Sequence, residues 1–284
     1  MTAERSSSDV GLVRRQGDGV PGSVLRPSRF PSIPGLDVAV QARVGNKQVG
    51  AGGASLDVVE VGGAFAVETA IPGRHRSGMS AHVVGGDFAD VFAVGDRYGV
   101  AYGDISAKGP EAESFALMAS STLQAIAGTD PAPCSVLGRL NRQLYATAQS
   151  RFLLALVFAA YDPVRGRLRL SNCGCWPPVL VSRGRPTVLE SRGMMLGISD
   201  DLDCEEIDVA LEPGDMLVGC TDGISETRRA AQFFGDATFA RVLADHAASP
   251  AAVVASAIVS AAERFSPDAL SDDATVLVLR ASGV

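Results

Sequence analysis

Histidine is scarce in this chain. Only His75, His82 and His246 occur in 284 residues, and none has the paired spacing that a zinc site needs. The five cysteines, Cys134, Cys173, Cys175, Cys204 and Cys220, are odd in number and scattered. They outline no disulfide framework, and the expectation is reduced thiols in a reducing compartment. No apolar run reaches the roughly 18 residues of a membrane span, because Ser249, Pro250, Ser256 and Ser260 interrupt the alanine-rich tract at 247–262. The amino-terminal charges lead into no apolar stretch, so no secretory signal is expected. Positive charge is also short: 25 Lys and Arg against 32 Asp and Glu leave a net charge of −7. That excludes the basic face of a nucleic-acid binder. No repeat of solenoid period is present. These absences leave a cytoplasmic protein with neither nucleic-acid nor membrane partners as the expectation.

What is present is core material. Hydrophobic residues make up 46% of the chain, enough for one sizeable domain or two small ones. Residues 1–34 are rich in Ser, Arg, Gly and Pro without periodicity and read as a disordered tail. From residue 35 to 284 the pattern is that of a folded domain. Short alternating apolar runs predict strands at 36–42, 56–61, 64–71, 87–94 and 98–103. Residues 35–63 contain an extra hairpin or insertion, with a glycine-rich turn at 45–53. The period then changes, and prolines suited to a first helical turn open helices at 110–126 and 133–148. A hairpin follows at 152–161 and 167–173, then strands at 179–182, 205–211 and 215–221. Two late helices at 236–247 and 250–265 precede a last strand at 274–280. Strands with inserted helix pairs, rather than strict βαβ alternation, indicate an α+β layered domain: two mostly antiparallel sheets flanked by helices.

Four acidic positions share one local context. Asp87 follows Gly85-Gly86, Asp104 ends a strand, Asp222 precedes Gly223, and Asp272-Asp273 stand just before the last strand. Mn²⁺ and Mg²⁺ favour carboxylate and carbonyl oxygens, and glycine lets the backbone come close enough to join such a shell. A single Asp-Gly is an ordinary turn. Four carboxylates in this order, each beside a small residue, point instead to a metal-dependent hydrolase.

The segments 84–92 (VGGDFADVF), 103–109 (GDISAKG), 211–215 (LEPGD), 221–226 (TDGISE) and 272–279 (DDATVLVL) resemble the metal-dependent PPM class of serine/threonine protein phosphatases. The likeness is to its stage II sporulation protein E branch and covers about residues 64–280. The resemblance implies an αββα sandwich and two divalent ions, Mn²⁺ or Mg²⁺. It implies that Asp87, Asp104, Asp222, Asp272 and the backbone carbonyl of Ile105 are metal ligands, with Asp104 and Asp222 acting through a metal-activated water. Gly86, Gly223 and Asp273 would stand behind them, and Lys108, Arg74 and Arg76 are candidate phosphate contacts. The implied substrate is a phosphorylated signalling protein such as an anti-sigma-factor antagonist, in a partner-switching pathway; a homodimer is left open.

Two departures matter. Ala107 replaces the glycine of the family's Asp-Val-Ser-Gly-Lys-Gly, a source of strain if that residue has positive φ. Asn172-Cys173-Gly174-Cys175-Trp176 stands where relatives carry Asn-Ala-Gly-His and prolines, so Cys175 replaces a histidine. These changes leave room for a pseudophosphatase that binds a partner, and small-molecule phosphate hydrolysis is a third reading. Phe233-Phe234, after Arg228-Arg229, is expected either to cover the site as a flap or to anchor the next helix.

Overall fold

The computed structural model describes residues 30–43, 45, 82–107, 110–148, 152–235, 237–268 and 270–282. The expected strands at 56–61 and 64–71, and Arg74, Arg76 and Lys108, lie outside the described residues. In chain order the first elements are β1 (Leu36–Arg43), β2 (His82–Val84), β3 (Asp87–Val94) and β4 (Arg97–Ile105). Helices α1 (Pro110–Ala127) and α2 (Pro133–Ala148) follow, then β5 (Leu154–Asp162), β6 (Arg167–Cys173), β7 (Val179–Ser182) and β8 (Arg185–Val188). The remainder is β9 (Ile207–Ala210), β10 (Met216–Cys220), the one-turn α3 (Asp222–Ser225) and the small strands β11 (Arg228–Arg229) and β12 (Gln232–Phe233). Helices α4 (Ala237–Asp245) and α5 (Ala251–Phe265) and strand β13 (Ala274–Ala281) complete it.

One sheet has the order β1-β13-β10-β7-β8 and the other β2-β3-β4-β5-β6-β9, with every pairing antiparallel. The period of two along each strand decides which layer a side chain joins. On β3, Phe88 and Phe92 turn outward against α1 and α2, while Ala89 and Val91 face the second sheet. On β13, Leu277 and Leu279 face inward, while Val276 and Val278 pack against α4 and α5. Three apolar layers result, in the order helices, sheet, sheet, helices, which is the layered α+β sandwich read from the sequence. Phe30 and Ile33 already belong to the inter-sheet core, on the tail side of the boundary placed at residue 34.

Cross-links in the fold come from polar groups in apolar layers. Asp90 points outward from β3 into α1, where Ser120 Oγ and Gln124 Nε2 donate to its Oδ2 at 2.6 and 2.7 Å. Asp37 on β1 accepts from the Ala251 N–H at 2.8 Å, filling the role of an N-cap for α5, whose own Pro250 has no capping side chain. The thiol expectation is corrected: Cys134 and Cys204 form a disulfide across 70 residues of sequence, and Cys173, Cys175 and Cys220 are the free cysteines among the described residues. The pairing was hidden because adjacency arises only when the first turn of α2 is laid on the loop leading into β9.

Candidate active site

The turn Gly85-Gly86 joins β2 to β3 and delivers Asp87 to the start of β3, facing the second sheet. Gly85 has φ +60°, a conformation only glycine adopts cheaply. Gly86 is needed for a different reason. A Cβ there would stand 2.7 Å from Asp104 Oδ1, 2.7 Å from the Ile105 carbonyl oxygen and 3.1 Å from that of Ala107. The bare Cα thus lies against three oxygens at the end of β4, and the Gly86 carbonyl ties that strand end by accepting from the Ile105 N–H at 3.2 Å.

Across the sandwich, Thr221 caps the end of β10 and bridges the sheets. Its hydroxyl donates to Asp87 Oδ2 at 2.6 Å and accepts from the Thr275 N–H at 2.9 Å. Asp222 then opens α3 and is exposed, while Asp104 and Asp272 are half-buried and Asp87 is buried. Gly223 sits with its Cα against the Asp273 carbonyl, with no space for a side chain. Asp272 Oδ1 accepts from the Asp273 N–H at 3.0 Å, and Asp273 Oδ1 accepts from the Gly45 N–H at 2.9 Å. The predicted carboxylates thus collect at one end of the sandwich, where both sheets open.

Electrostatics carry the same message. Burial and then the neighbouring Asp222 raise Asp104 from the ordinary 3.8 to about 7, although a hydrogen bond with Asp87 acts the other way. Burial and then the charge of Asp104 push Asp87 well above its usual range, against the stabilising hydroxyls of Thr221 and Thr275. Carboxylates that raise one another need a cation to be ionised together. No three His, Cys, Asp or Glu side chains of the described residues stand close enough to form a ligand set by themselves. The side chains of Asp87, Asp104, Asp222 and Asp272 and the Ile105 carbonyl offer oxygen donors, the chemistry that suits Mn²⁺ or Mg²⁺ rather than zinc.

The two departures in sequence acquire definite places. Ala107 is absent from the residues of positive φ, which outside glycine are Arg183 and Ala230 among those described, so alanine sits there without that strain. Cys175 is held by reciprocal bonds with Asn172, which donates to its carbonyl and accepts from its N–H, both at 2.9 Å. Burial first, then Asp104 and Asp87, raise its thiol well above the ordinary value. A protonated thiol cannot serve as a base at neutral pH, and the side chain packs against the inter-sheet core.

Sequence reasoning assigned no role to Thr221 or Thr275, although both stand inside the quoted motifs beside the aspartates. Glu113 was also missed: burial and then Asp273 raise it, which brings the first turn of α1 to the site. Phe234 is fully buried and edge-on to Phe239 and Phe265, so it anchors α4, as the second of the two expectations held. A cavity of about 460 Å³ opens beside Asp222 and Asp272 and runs along Glu226, Arg228 and Asp268. Another, of about 350 Å³, lies at the far ends of β4 and β5 among Arg97, Arg165 and Arg167, whose ion pairs with Asp162 and Asp208 tie them up.

Comparison with known proteins bears on the family and the fold. The family described as Stage II sporulation protein E (SpoIIE) matches residues 94–282. The phosphoserine phosphatase RsbU of Bacillus subtilis is 26% identical over 204 residues, which are 71% of this chain and 61% of RsbU. Protein IcfG of Synechocystis is 29% identical over 185 residues, 55% of this chain and 29% of that protein. The chain thus spans less than two thirds of the length of the curated relatives it matches. Among solved structures, the RsbU and RsbW domains of a Mycobacterium tuberculosis protein superpose with a TM-score of 0.68 at 22% identity, covering 90% of this chain and 62% of that one. The PP2C phosphatase domain of SpoIIE from Bacillus subtilis, with a fragment of its regulatory domain, gives 0.66 at 15% identity, covering 93% and 71%. These likenesses assign the PP2C-like fold, and with the family matching residues 94–282, well over half of its length, the chain belongs to the stage II sporulation protein E family.

Proposed function

We propose that this chain is a metal-dependent protein phosphatase that hydrolyses phosphoserine or phosphothreonine. The observation that carries the reading is the Asp104 carboxylate and Ile105 carbonyl lying together against the bare Cα of Gly86, with Asp87 alongside and Asp222 and Asp272 at the rim. Asp104, Asp87, the Ile105 carbonyl, Asp222 and Asp272 are the groups that would hold two divalent ions. When bound, such ions would supply charge neutralisation for a phosphoryl group and lower the pKa of an attacking water.

The rest is done by the protein. The hydroxyls of Thr221 and Thr275 favour the charged form of Asp87 and fix its direction. Gly86 and Gly223 keep side chains out of the space between the strand ends. Asp273 holds the segment carrying Asp272 in place through Gly45. Neither Cys175 nor Cys220 is poised as a nucleophile, since both thiols are raised by burial and adjacent carboxylates. The intact aspartate set favours an enzyme over a pseudophosphatase.

The substrate we infer is a phosphorylated signalling protein of the partner-switching kind, such as an anti-sigma-factor antagonist. It is supported by the likeness to a phosphoserine phosphatase and to a chain joining RsbU and RsbW domains. The test is release of phosphate from an aryl phosphate and from a phosphothreonine peptide with Mn²⁺, with Mg²⁺ and with chelator. Release that needs metal and disappears in Asp104→Ala and Asp222→Ala is expected. A folded wild-type chain that releases nothing with either metal would overturn the proposal.

A further inference from the structure

Arg228 and Arg229 are adjacent and both exposed, yet the fold treats them differently. Arg229 is consumed by structure: its Nε and Nη2 donate to the carbonyls of Phe265 and Arg264 at 2.8 Å each, and its guanidinium lies over the Phe265 ring. Arg228 makes no ion pair among the described residues. Its guanidinium stands 4.5 Å above the ring of Phe233, its cross-strand partner in the β11–β12 hairpin. A cation–π contact of this kind holds the guanidinium over the ring without using up its N–H donors.

The hairpin is rigidly referred to the aspartate end of the sandwich. Thr227 Oγ1 donates to the Gly223 carbonyl at 2.7 Å, and the Glu226 N–H donates to the Asp222 carbonyl at 2.7 Å. The Phe234 N–H donates to the Thr227 carbonyl at 2.9 Å. Arg228 therefore rides on the same short piece of chain as Asp222. Both line the cavity of about 460 Å³, whose other ionisable walls are Glu226, Asp268 and Asp272. Arg228 is the one cation among the described residues lining it, in a cleft that would otherwise repel an anion.

We propose that Arg228 is the substrate-binding cation of this cleft, donating to an oxyanion of the phosphorylated segment while its phosphoryl group lies at the aspartates. The proposal rests on the phosphatase reading and deepens it by naming the residue on the chain side that meets the substrate. An arginine held over an aromatic ring, with no ion pair among the described residues, suits a bidentate contact to phosphoryl or carboxylate oxygens.

The test uses the Mn²⁺-loaded 284-residue chain, with wild type beside Arg228→Ala, Arg228→Lys and the neighbouring control Arg229→Ala. Turnover is measured on an aryl phosphate and on phosphothreonine peptides with neutral and with acidic flanks. Binding is measured separately with the phosphonate analogues of both peptides, which cannot be hydrolysed. Loss of a charge-assisted contact at a half-open site predicts a KM for phosphopeptide raised roughly tenfold in Arg228→Ala, with kcat little changed. Analogue affinity should fall by the same factor, and lysine should restore part of it. An effect on all substrates alike assigns the oxyanion to the phosphoryl group; one confined to the acidic-flank peptide assigns it to a flanking carboxylate. Unchanged KM and unchanged analogue affinity in a folded Arg228→Ala would overturn the proposal. Absence of metal-dependent turnover in wild type sinks the phosphatase reading instead, and Arg228 is then judged on analogue binding alone.

Discussion

Replacing Thr221 by valine tests the polar bridge between the sheets with almost no change of shape. In the folded protein the Thr221 hydroxyl donates to Asp87 and accepts from the Thr275 N–H, both in fully buried surroundings. Valine removes both bonds at once. A buried N–H deprived of its acceptor costs about 1–3 kcal/mol, and the second lost bond about 1 kcal/mol more. The added methyl offsets a fraction of that, so the expected net loss is roughly 2–3 kcal/mol, a sizeable part of a typical stability. For a domain of this size each kcal/mol lowers Tm by about 2–4 °C, which predicts a drop of around 4–12 °C. The same hydroxyl favours the ionised form of Asp87. Its removal makes the proton a stronger competitor for that carboxylate, so the Mn²⁺ concentration needed for half-maximal activity should rise, and most steeply at acid pH. Thr221→Ser keeps the hydroxyl and should restore the metal requirement and most of the stability. Thermal unfolding with and without Mn²⁺, together with metal titrations at two pH values, reads both effects. A Thr221→Val protein with wild-type Tm and wild-type metal midpoint would refute the bridge as a support for Asp87.

Gly86→Ala puts a Cβ 2.7 Å from both Asp104 Oδ1 and the Ile105 carbonyl, and displacement of those oxygens should lower activity about 100-fold; a near-normal rate under saturating Mn²⁺ would count against their role. Metal-free protein should lose stability as pH rises from 3.8 to about 7, because folded Asp104 keeps a proton that the unfolded chain has already released. Asp87, raised for related reasons, adds in the same direction, and Mn²⁺ should flatten the profile. Urea unfolding at pH 5 and pH 7.5, with chelator and with metal, checks this; equal metal-free stability at both would exclude it. The Cys134–Cys204 bond closes a loop of 70 residues, worth about 4 kcal/mol of chain entropy. Reductant or Cys134→Ser should therefore lower Tm by around 10 °C, and a Tm indifferent to both would show that the bond does not form in solution.

Much of this protein was written locally. The change of period from two to 3.6 at Pro110 marked where β4 gives way to α1, and the prolines at 110 and 133 placed both helix starts where they stand. On β3 and β13 the pleat forces neighbours to opposite sides, but both faces are apolar and buried, so which side turns inward was left to the packing of the layers. The aspartates were readable because a carboxylate at a strand end beside glycine is a local pattern, whatever lies across from it.

What lies across was decided by the tertiary structure alone. Asp87 and Thr221 are 134 residues apart, and no local preference states that two sheets will meet there. Burial in that meeting, rather than anything in the sequence near Asp104, is the first cause that lifts its carboxyl to about 7. Asp90, three residues after Asp87, carries the same side chain yet faces α1 and is satisfied by Ser120 and Gln124, since an odd separation on a strand reverses the face. Cys134 found Cys204 only after α2 was packed against the sheet. Arg228 and Arg229 are indistinguishable as letters; one is bound to the end of α5 and the other is left over a ring beside the aspartates. Local chemistry determined which groups could act, and burial between layers, which depends on the whole chain, determined which of them face one another.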